Sequence, residues 1–316
     1  MKLCIQEEHL HGEEQEIESS KLTTSGNYYF HILAVDNSGN SKEYISEAVT
    51  IKSGYAISTP QDFQNMGSNL SASYYIVNDI DMNGFEFKCI QGKFNGKFDG
   101  QGHTISNLTI TDGGIFRFLL NSTFENILFK NVNLSGGGGV LAKEQYLSAT
   151  SIIRKVGITG SVDSSDTNTS MHTGSFIGDC NGKTVNLTFE NCYAKVDVAK
   201  TRNGCYDKGG FIGDEALGAN VIVTNSYWYG STGGTHRTGA FRGGIGIENN
   251  GNQSTESITV TNSFYNKTLF TLSVPEESSG KGLTTAEFAD SSNFTGWDFE
   301  NTWYMSDEGY PELKFD

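Results

Sequence analysis

The sequence predicts an all-β protein whose main body is a parallel β-helix with short capping helices, preceded by an N-terminal β-hairpin. Three observations predict it. Thirty-eight glycines stand against three prolines in 316 residues, so the chain turns often yet keeps nearly every backbone N–H available for strand pairing. Two short landmarks recur in fixed order at bounded spacing. Between them lie short runs of Ile, Val, Phe and Thr, with none of the ten-residue helical periods of leucine-rich or ankyrin repeats. Glycine without a Gly-X-Y period excludes collagen, and 36% hydrophobic with 12% aromatic residues excludes a disordered chain.

Residues 1 to 52 form the first segment. Gly26 to Val35 alternates apolar and polar residues, Asp36-Asn-Ser-Gly-Asn40 is a turn cluster, and Tyr44 to Lys52 alternates again, which predicts one antiparallel hairpin. Asp36 and Asn40 are expected as turn formers rather than calcium ligands. A lone hairpin is marginal in water, so these strands are expected to belong to a larger sheet or to dock on the repeat region beyond them.

Residues 53 to 280 are the repeat region. Thr59-Pro60-Gln61-Asp62 places a capping hydroxyl before a proline at the first helical position, with an acid in the first turn, and predicts a short helix to about Gly67. A strand over Tyr74 to Asn78 and a turn over Asp79 to Gly84 come next. Gly92 to Ile110 then bends every few residues and excludes a helix there.

The anchor landmark is an apolar residue, a spacer and Asn: Ile105-Ser-Asn107, Phe124-Glu-Asn126, Phe189-Glu-Asn191, Val223-Thr-Asn225 and Val260-Thr-Asn262, with Ile153-Arg-Lys155 as a variant. These anchors step by 19, 29, 36, 34 and 37 residues. The second landmark is Gly114-Ile-Phe116, Gly174-Ser-Phe-Ile-Gly178, Gly209-Gly-Phe-Ile-Gly213 and Gly239-Ala-Phe-Arg-Gly243. Stacked coils with loops of variable length produce this pattern. The Asn suits a corner because it tolerates the left-handed region and its amide can bond the next Asn in the stack. The landmark glycines are expected where positive φ is needed.

Residues 281 to 316 read as a C-terminal cap. Thr284-Thr-Ala-Glu287 is a capping box that opens a short helix to about Asp290, and Trp297, Phe299, Trp303, Tyr304, Tyr310 and Phe315 supply an aromatic plug for the open end of the stack.

These residues carry two resemblances. Gly26 to Asn40 resembles the last two strands of the immunoglobulin-like or fibronectin-III-like modules of bacterial surface proteins, of which only part is present. The runs D-I-D-M-N-G, F-N-G-K-F-D-G-Q-G-H-T-I-S-N-L-T-I, the G-[GS]-F-I-G landmarks, F-E-N-C-Y-A, and the G-L-T-T-A-E-F … W … Y-P-E-L ending resemble the GLUG-motif repeat proteins over about residues 54 to 316. This chain departs from that family at Phe87-Lys-Cys-Ile90 and at Gly114-Ile-Phe-Arg-Phe118. The resemblance implies a right-handed β-helix in a large secreted or wall-bound bacterial protein. Such proteins include adhesins and the non-catalytic regions of IgA-cleaving metalloproteases. Extracellular or cell-surface location and an adhesive role are implied by it, with no specified ligand.

Charge narrows the partners. Lys plus Arg number 22 and Asp plus Glu 37, a net charge of −15 that repels polyanions, so no nucleic acid is expected. No run reaches the ~20 apolar residues of a membrane helix, and none inserts in a membrane on this reading. The first sixteen residues hold acids where a signal peptide would be apolar, so export and anchor signals are expected outside this chain. A monomer with no cofactor and no metal is expected, bound to a glycan or extracellular protein. Cys4, Cys89, Cys180, Cys192 and Cys205 contain no C-x-x-C pair; buried thiols are favoured, and pairing among Cys180, Cys192 and Cys205 is left open.

Chemistry is sparse. No H-E-x-x-H, G-x-S-x-G, P-loop or dinucleotide fingerprint occurs, and His9 and His11 sit two apart in a polar segment. The enzymatic alternative is a β-helix polysaccharide lyase or glycosidase, which needs paired carboxylates or an acid cluster with a basic partner. The available acids are Asp163, Asp166, Asp179, Asp207 and Asp214, with Arg154, Arg202 and Arg237 nearby, and they are read as not aligning at equivalent coil positions. His103 is expected to be structural. The favoured binding feature is an outward column two residues past the anchor, Tyr193, Tyr227 and Phe264, expected as a solvent-facing aromatic ladder for sugar rings or a partner chain. If the parity shifted, these three would instead be core, with Ala194, Trp228 and Tyr265 outside.

Overall fold

The computed structural model describes residues 26–315 apart from 30, 48, 147, 164–171, 181–183, 199–206, 216–218, 234–237, 244–256 and 272–279. His9, His11, Cys4, Cys205, Asp166, Arg202 and Arg237 therefore lie outside the described residues. The chain divides into two compact units, Met1–Gly54 and Tyr55–Asp316.

In the first unit His31–Val35 pairs antiparallel with Ser41–Ile45, and Gly26–Tyr28 with Val49–Ile51, so the hairpin forms as two short ladders. Asp36 builds its turn: its carboxylate accepts from the Ser38 and Asn40 N–H groups and from the Asn40 amide. Those bonds, the Asn40 amide's foremost, lower its pKa. Tyr29, Leu33, Val35, Tyr44 and Ile45 are exposed.

The second unit is all-β and solenoidal. Every rung-to-rung pairing from Tyr55–Ile57 to Lys281–Leu283 is parallel. Two flanks of the largest sheet meet at the anchor corner. Before it, Tyr74, Phe98, Phe124, Ile153, Phe189, Val223 and Val260 stack in one inward column. After it, Ile105, Phe129, Ile158, Ala194, Trp228 and Tyr265 do the same. A third face stacks Ile90–Phe94, Phe116–Leu119, Ala142–Gln145, Ile177–Cys180 and Ile212–Glu215. A short fourth ladder joins Thr173–Gly174, Lys208–Gly209 and Thr238–Gly239.

The anchors behave as corners. Asn107, Asn126, Lys155, Asn191, Asn225 and Asn262 all have φ between 46° and 58°. The left-handed backbone turns the chain from one flank to the next, and Asn is the side chain that best tolerates it. Two expectations need correction. Asn107 belongs to a different column: Ser106 pairs with Lys130, so Asn107 stacks on Asn131, whose amide donates to the Asn107 Oδ1 at 2.6 Å, and not on Asn126. The landmark glycines do not supply positive φ, since none of Gly174, Gly178, Gly209, Gly213, Gly239 and Gly243 has it. They are required for closeness instead. A Cβ at Gly213 would lie 2.2 Å from the Thr173 nitrogen of the previous rung. Gly139-Val140-Leu141-Ala142 fills the same place in the coil between the first two landmarks, pairing in register with Phe116 and Ile177 through Ala142.

Both capping boxes form. Thr59 caps a helix over Pro60–Asn65 that continues as a 3-10 turn over Met66–Ser68, and its Phe63 is buried against Phe87 and Phe98 at the start of the core. Thr284 caps Thr285–Phe288, with its hydroxyl accepting from the Glu287 N–H and its own N–H donating to the Glu287 carboxylate. Lys281–Leu283 pairs parallel with Phe264–Asn266 and is the last rung, so the C-terminal segment departs from the stack at Thr284, three residues later than the sequence boundary. Among the described residues no helix is long and apolar enough to cross a membrane.

The corner geometry sets a test. Asn225 has φ 48°, and its side-chain oxygen is buried without a hydrogen-bond partner, so the backbone conformation is its main contribution. Asn225→Gly is expected to leave stability within about 1 kcal/mol, whereas Asn225→Val should cost about 1–2 kcal/mol more than the glycine variant. Urea-unfolding midpoints of the two variants measure this, and equal midpoints would refute the role given to the corner.

Candidate functional site

The aromatic column is where the sequence reading and the structure part. Parity holds: Leu128, Gly157, Tyr193, Tyr227 and Phe264 occupy one register column on the outside of the coil wall, and Ala194, Trp228 and Tyr265 point into the interior. The column is nevertheless not solvent-facing. Tyr193, Tyr227 and Phe264 are 1%, 0% and 4% exposed, which excludes an open sugar-stacking ladder.

The residues from Thr284 onward cover them. This segment does not plug the end of the stack; it runs back along the outer wall as a strap. Phe288, Phe294, Trp297, Trp303, Tyr310 and Leu313 join Leu128, Tyr193, Tyr227 and Phe264 in a second hydrophobic cluster separate from the coil interior. Tyr193 and Tyr227 stack face to face at 5.2 Å, and Trp303 lies on Trp297 at 4.2 Å. Three polar edges find partners: Tyr227 donates to the Pro311 carbonyl at 2.6 Å, Trp297 to the Asn262 carbonyl at 2.7 Å, and Trp303 to the Asn191 side-chain oxygen. Burial raises the pKa of both Tyr193 and Tyr227. Lys195 binds Glu308 at 2.7 Å and lies over the Tyr310 ring, and Phe315 reaches back to Gly102, where a Cβ would meet it at 2.5 Å.

The acids also need correction, because some do align. Asp179 and Asp214 are register partners on successive rungs of the third face, with Glu144 one rung earlier. Each directly follows the last glycine of a landmark. His172 and Asp207 are likewise equivalent, each two residues before the landmark's first glycine, next to the paired Thr173 and Lys208. Stacking brings the His172 Nδ1 to 3.1 Å from Asp207 Oδ2 and 3.5 Å from Asp214 Oδ2. Asp207 is fully buried, and the His172 and Asp214 side chains are 22% and 17% exposed. Burial opposes charge on this imidazole, but the adjoining Asp207 carboxylate and the charges of Asp214 and Asp179 outweigh it and leave the His172 pKa raised. Asp163 is not part of this group.

The other singled-out residues lie apart from this group. His103 contacts Asp79 at 3.2 Å. Arg154 and Lys97 flank the buried Glu125 on neighbouring rungs. No disulfide joins Cys180 to Cys192, and both are buried; burial pushes the Cys192 thiol up to about 12.

One concavity among the described residues is a feature the sequence reading missed. It is a groove of about 630 Å³ beside the second corner, lined by Asn83, Asn107, Thr109, Asn131, Val132, Asn133, Gly160 and Ser161. It carries amides and hydroxyls with no ionisable side chain. Thr109 pairs with Asn133 and Asn133 with Ser161, so these three step outward along the stack at one rung intervals. The Asn107 amide also donates to the Asp81 carboxylate, which lowers the Asp81 pKa. A second column of Asn at corner spacing was the available sequence signal.

No protein-family model matches this chain, and no curated protein matches it. Among solved structures, one titled IgA1 Protease is similar with a TM-score of 0.41 and 13% identity, covering 83% of this chain and 24% of that one. The chain thus spans about a quarter of that protein's length.

The strap makes a quantitative prediction. Trp303 is fully buried between the aromatic column and Trp297, so Trp303→Ala should cost about 3–5 kcal/mol. The exposed column should then bind a hydrophobic dye such as ANS. Unchanged thermal stability with no dye binding would show that the strap does not depend on this contact.

Proposed function

We propose that this chain is a non-catalytic, elongated extracellular module that holds an uncharged glycan in the amide-lined groove, within a larger bacterial surface protein of the GLUG-motif kind. The groove chemistry carries the reading. Asn amides both donate and accept, Thr and Ser hydroxyls do the same, and sugar hydroxyls need such partners in matched pairs. The absence of charge from its lining favours neutral sugars, while the net charge of −15 disfavours sulfated or uronate polymers. A right-handed coil, an immunoglobulin-like origin for the N-terminal hairpin and an adhesive role belong to the same proposal and rest on the sequence resemblance.

One observation favours the rival reading of a carbohydrate-active enzyme: the assembled His172, Asp207 and Asp214 group has the residue types of acid–base chemistry. Against it, Asp207 is fully buried, and the amide-lined groove is not lined by these residues. A glycan and extracellular-matrix array with product analysis separates the two. Binding of uncharged glycans without cleavage is expected. The double variant Asn133→Ala, Ser161→Ala should weaken it roughly tenfold, from about 0.5–1.5 kcal/mol per lost hydrogen bond. Released product would instead establish the enzyme, and glycan binding indifferent to the double variant would place the ligand elsewhere.

A further inference from the structure

We infer that His172, Asp207 and Asp214 form a binding site for a divalent transition-metal ion of the Zn²⁺ or Mn²⁺ class, which staples two successive coils together. This departs from the expectation of a metal-free chain and is independent of the glycan reading.

The donor geometry is the first support. One nitrogen and two carboxylate oxygens, one from each residue, lie within 4.8 Å of one another. Ligands held by one ion at about 2.0–2.2 Å are roughly 3–3.6 Å apart. The separations of 3.1 Å and 3.5 Å from the imidazole nitrogen to the two carboxylates fall in that range.

Direction is the second, independent support. A His–Asp hydrogen bond would also explain a short N···O distance, but it requires the N–H to aim at the oxygen. The His172 Nδ1 has almost no contact with solvent, and its approach to Asp207 and Asp214 lacks the aim of a well-directed hydrogen bond to either. The Asp214 Oδ1 is equally shielded and makes none. Atoms that crowd together without aiming at one another are arranged as ligands are around a shared centre.

The donor set selects the ion. Ca²⁺ prefers six to eight oxygens, whereas an imidazole beside carboxylates suits Zn²⁺ or Mn²⁺. Asp179 is the rung neighbour of Asp214 and lies outside the group of three ligands. His172 belongs to one coil, and Asp207 and Asp214 to the next, so a bound ion adds a cross-link to the ladder there.

The test uses the full chain after chelator treatment. Titration with ZnCl₂ or MnCl₂ should give one binding event by calorimetry and raise Tm by several degrees, because an ion that binds only the folded state stabilises it by mass action. CaCl₂ at the same concentration should do neither. Co²⁺ should give the visible absorption of a site with nitrogen and oxygen ligands. Asp214→Asn and His172→Gln should each weaken binding at least tenfold, and His172→Gln should abolish the Co²⁺ band. Asp214 lies nearer the surface than Asp207, and its amide variant keeps the shape of the side chain. The Co²⁺ band is read on the unaltered chain as well. No heat, no Tm shift and no Co²⁺ band on the unaltered chain would overturn the site, as would undiminished affinity in both variants.

Discussion

Parallel stacking of coils about 4.8 Å apart is the constraint on which the rest of this structure depends. Each rung offers its N–H and C=O groups to the rungs on either side, so any residue type repeated at an equivalent position meets its own kind. That is why Phe176, Phe211 and Phe241 contact one another at 4.6 and 4.8 Å in the interior. It is also why a glycine column is obligatory where the third face meets the fourth ladder. At Gly213 the previous rung's backbone occupies the space a side chain would need. Sharp corners then have to come from elsewhere, and left-handed Asn supplies them.

The same spacing creates a difficulty that the strap resolves. A column of aromatics on the outer wall adds favourable stacking from rung to rung, as in the parallel Tyr193 and Tyr227 rings, but left bare it would be a continuous apolar stripe. The chain covers it with its own C-terminal residues. The two capping threonines therefore have different tasks. The helix begun at Thr59 closes the start of the core, while the one begun at Thr284 launches a segment that travels back over the wall. Its indole N–H groups and the Tyr227 hydroxyl all reach oxygens at the corners or in the strap, so these three donors are satisfied under the cover.

How much of this could be read from the residues varies by feature. The repeat, the parallel strands, the left-handed Asn corners and both capping boxes are local properties, set by side-chain type and spacing within a few residues. The inside–outside parity of Tyr193, Tyr227 and Phe264 is local too, and it holds. What covers an outward column depends on a segment 20 to 122 residues further along, from Thr284 to Phe315, and no local pattern reports it. The acid alignment was present but obscured. Asp179 and Asp214 look unrelated when counted from the Asn anchors, because loops of different length intervene. Counted from the G-F-I-G landmark, each follows its last glycine, and His172 and Asp207 each precede its first by two. Register had to be taken from the tightest part of the coil, where insertions cannot enter.

Three outward columns of the solenoid wall now differ in what is left for a ligand. The aromatic column is enclosed by the strap. The charged column before the anchor corner is committed to neighbours: Lys97 and Arg154 both hold Glu125, and Lys97 also lies 3.6 Å from Asp99. A ligand there would have to displace ion pairs that are partly buried, at a desolvation cost larger than a surface contact returns. The third column, Thr109, Asn133 and Ser161, carries hydroxyl and amide groups on the rim of a groove. Neutral groups surrender bound water at far smaller cost than charges do, and the rung spacing presents them at regular intervals along a line. A scaffold that needs its apolar columns buried and its charged columns paired leaves an uncharged polar column as the place for the recognition proposed above, and the groove lies on that column.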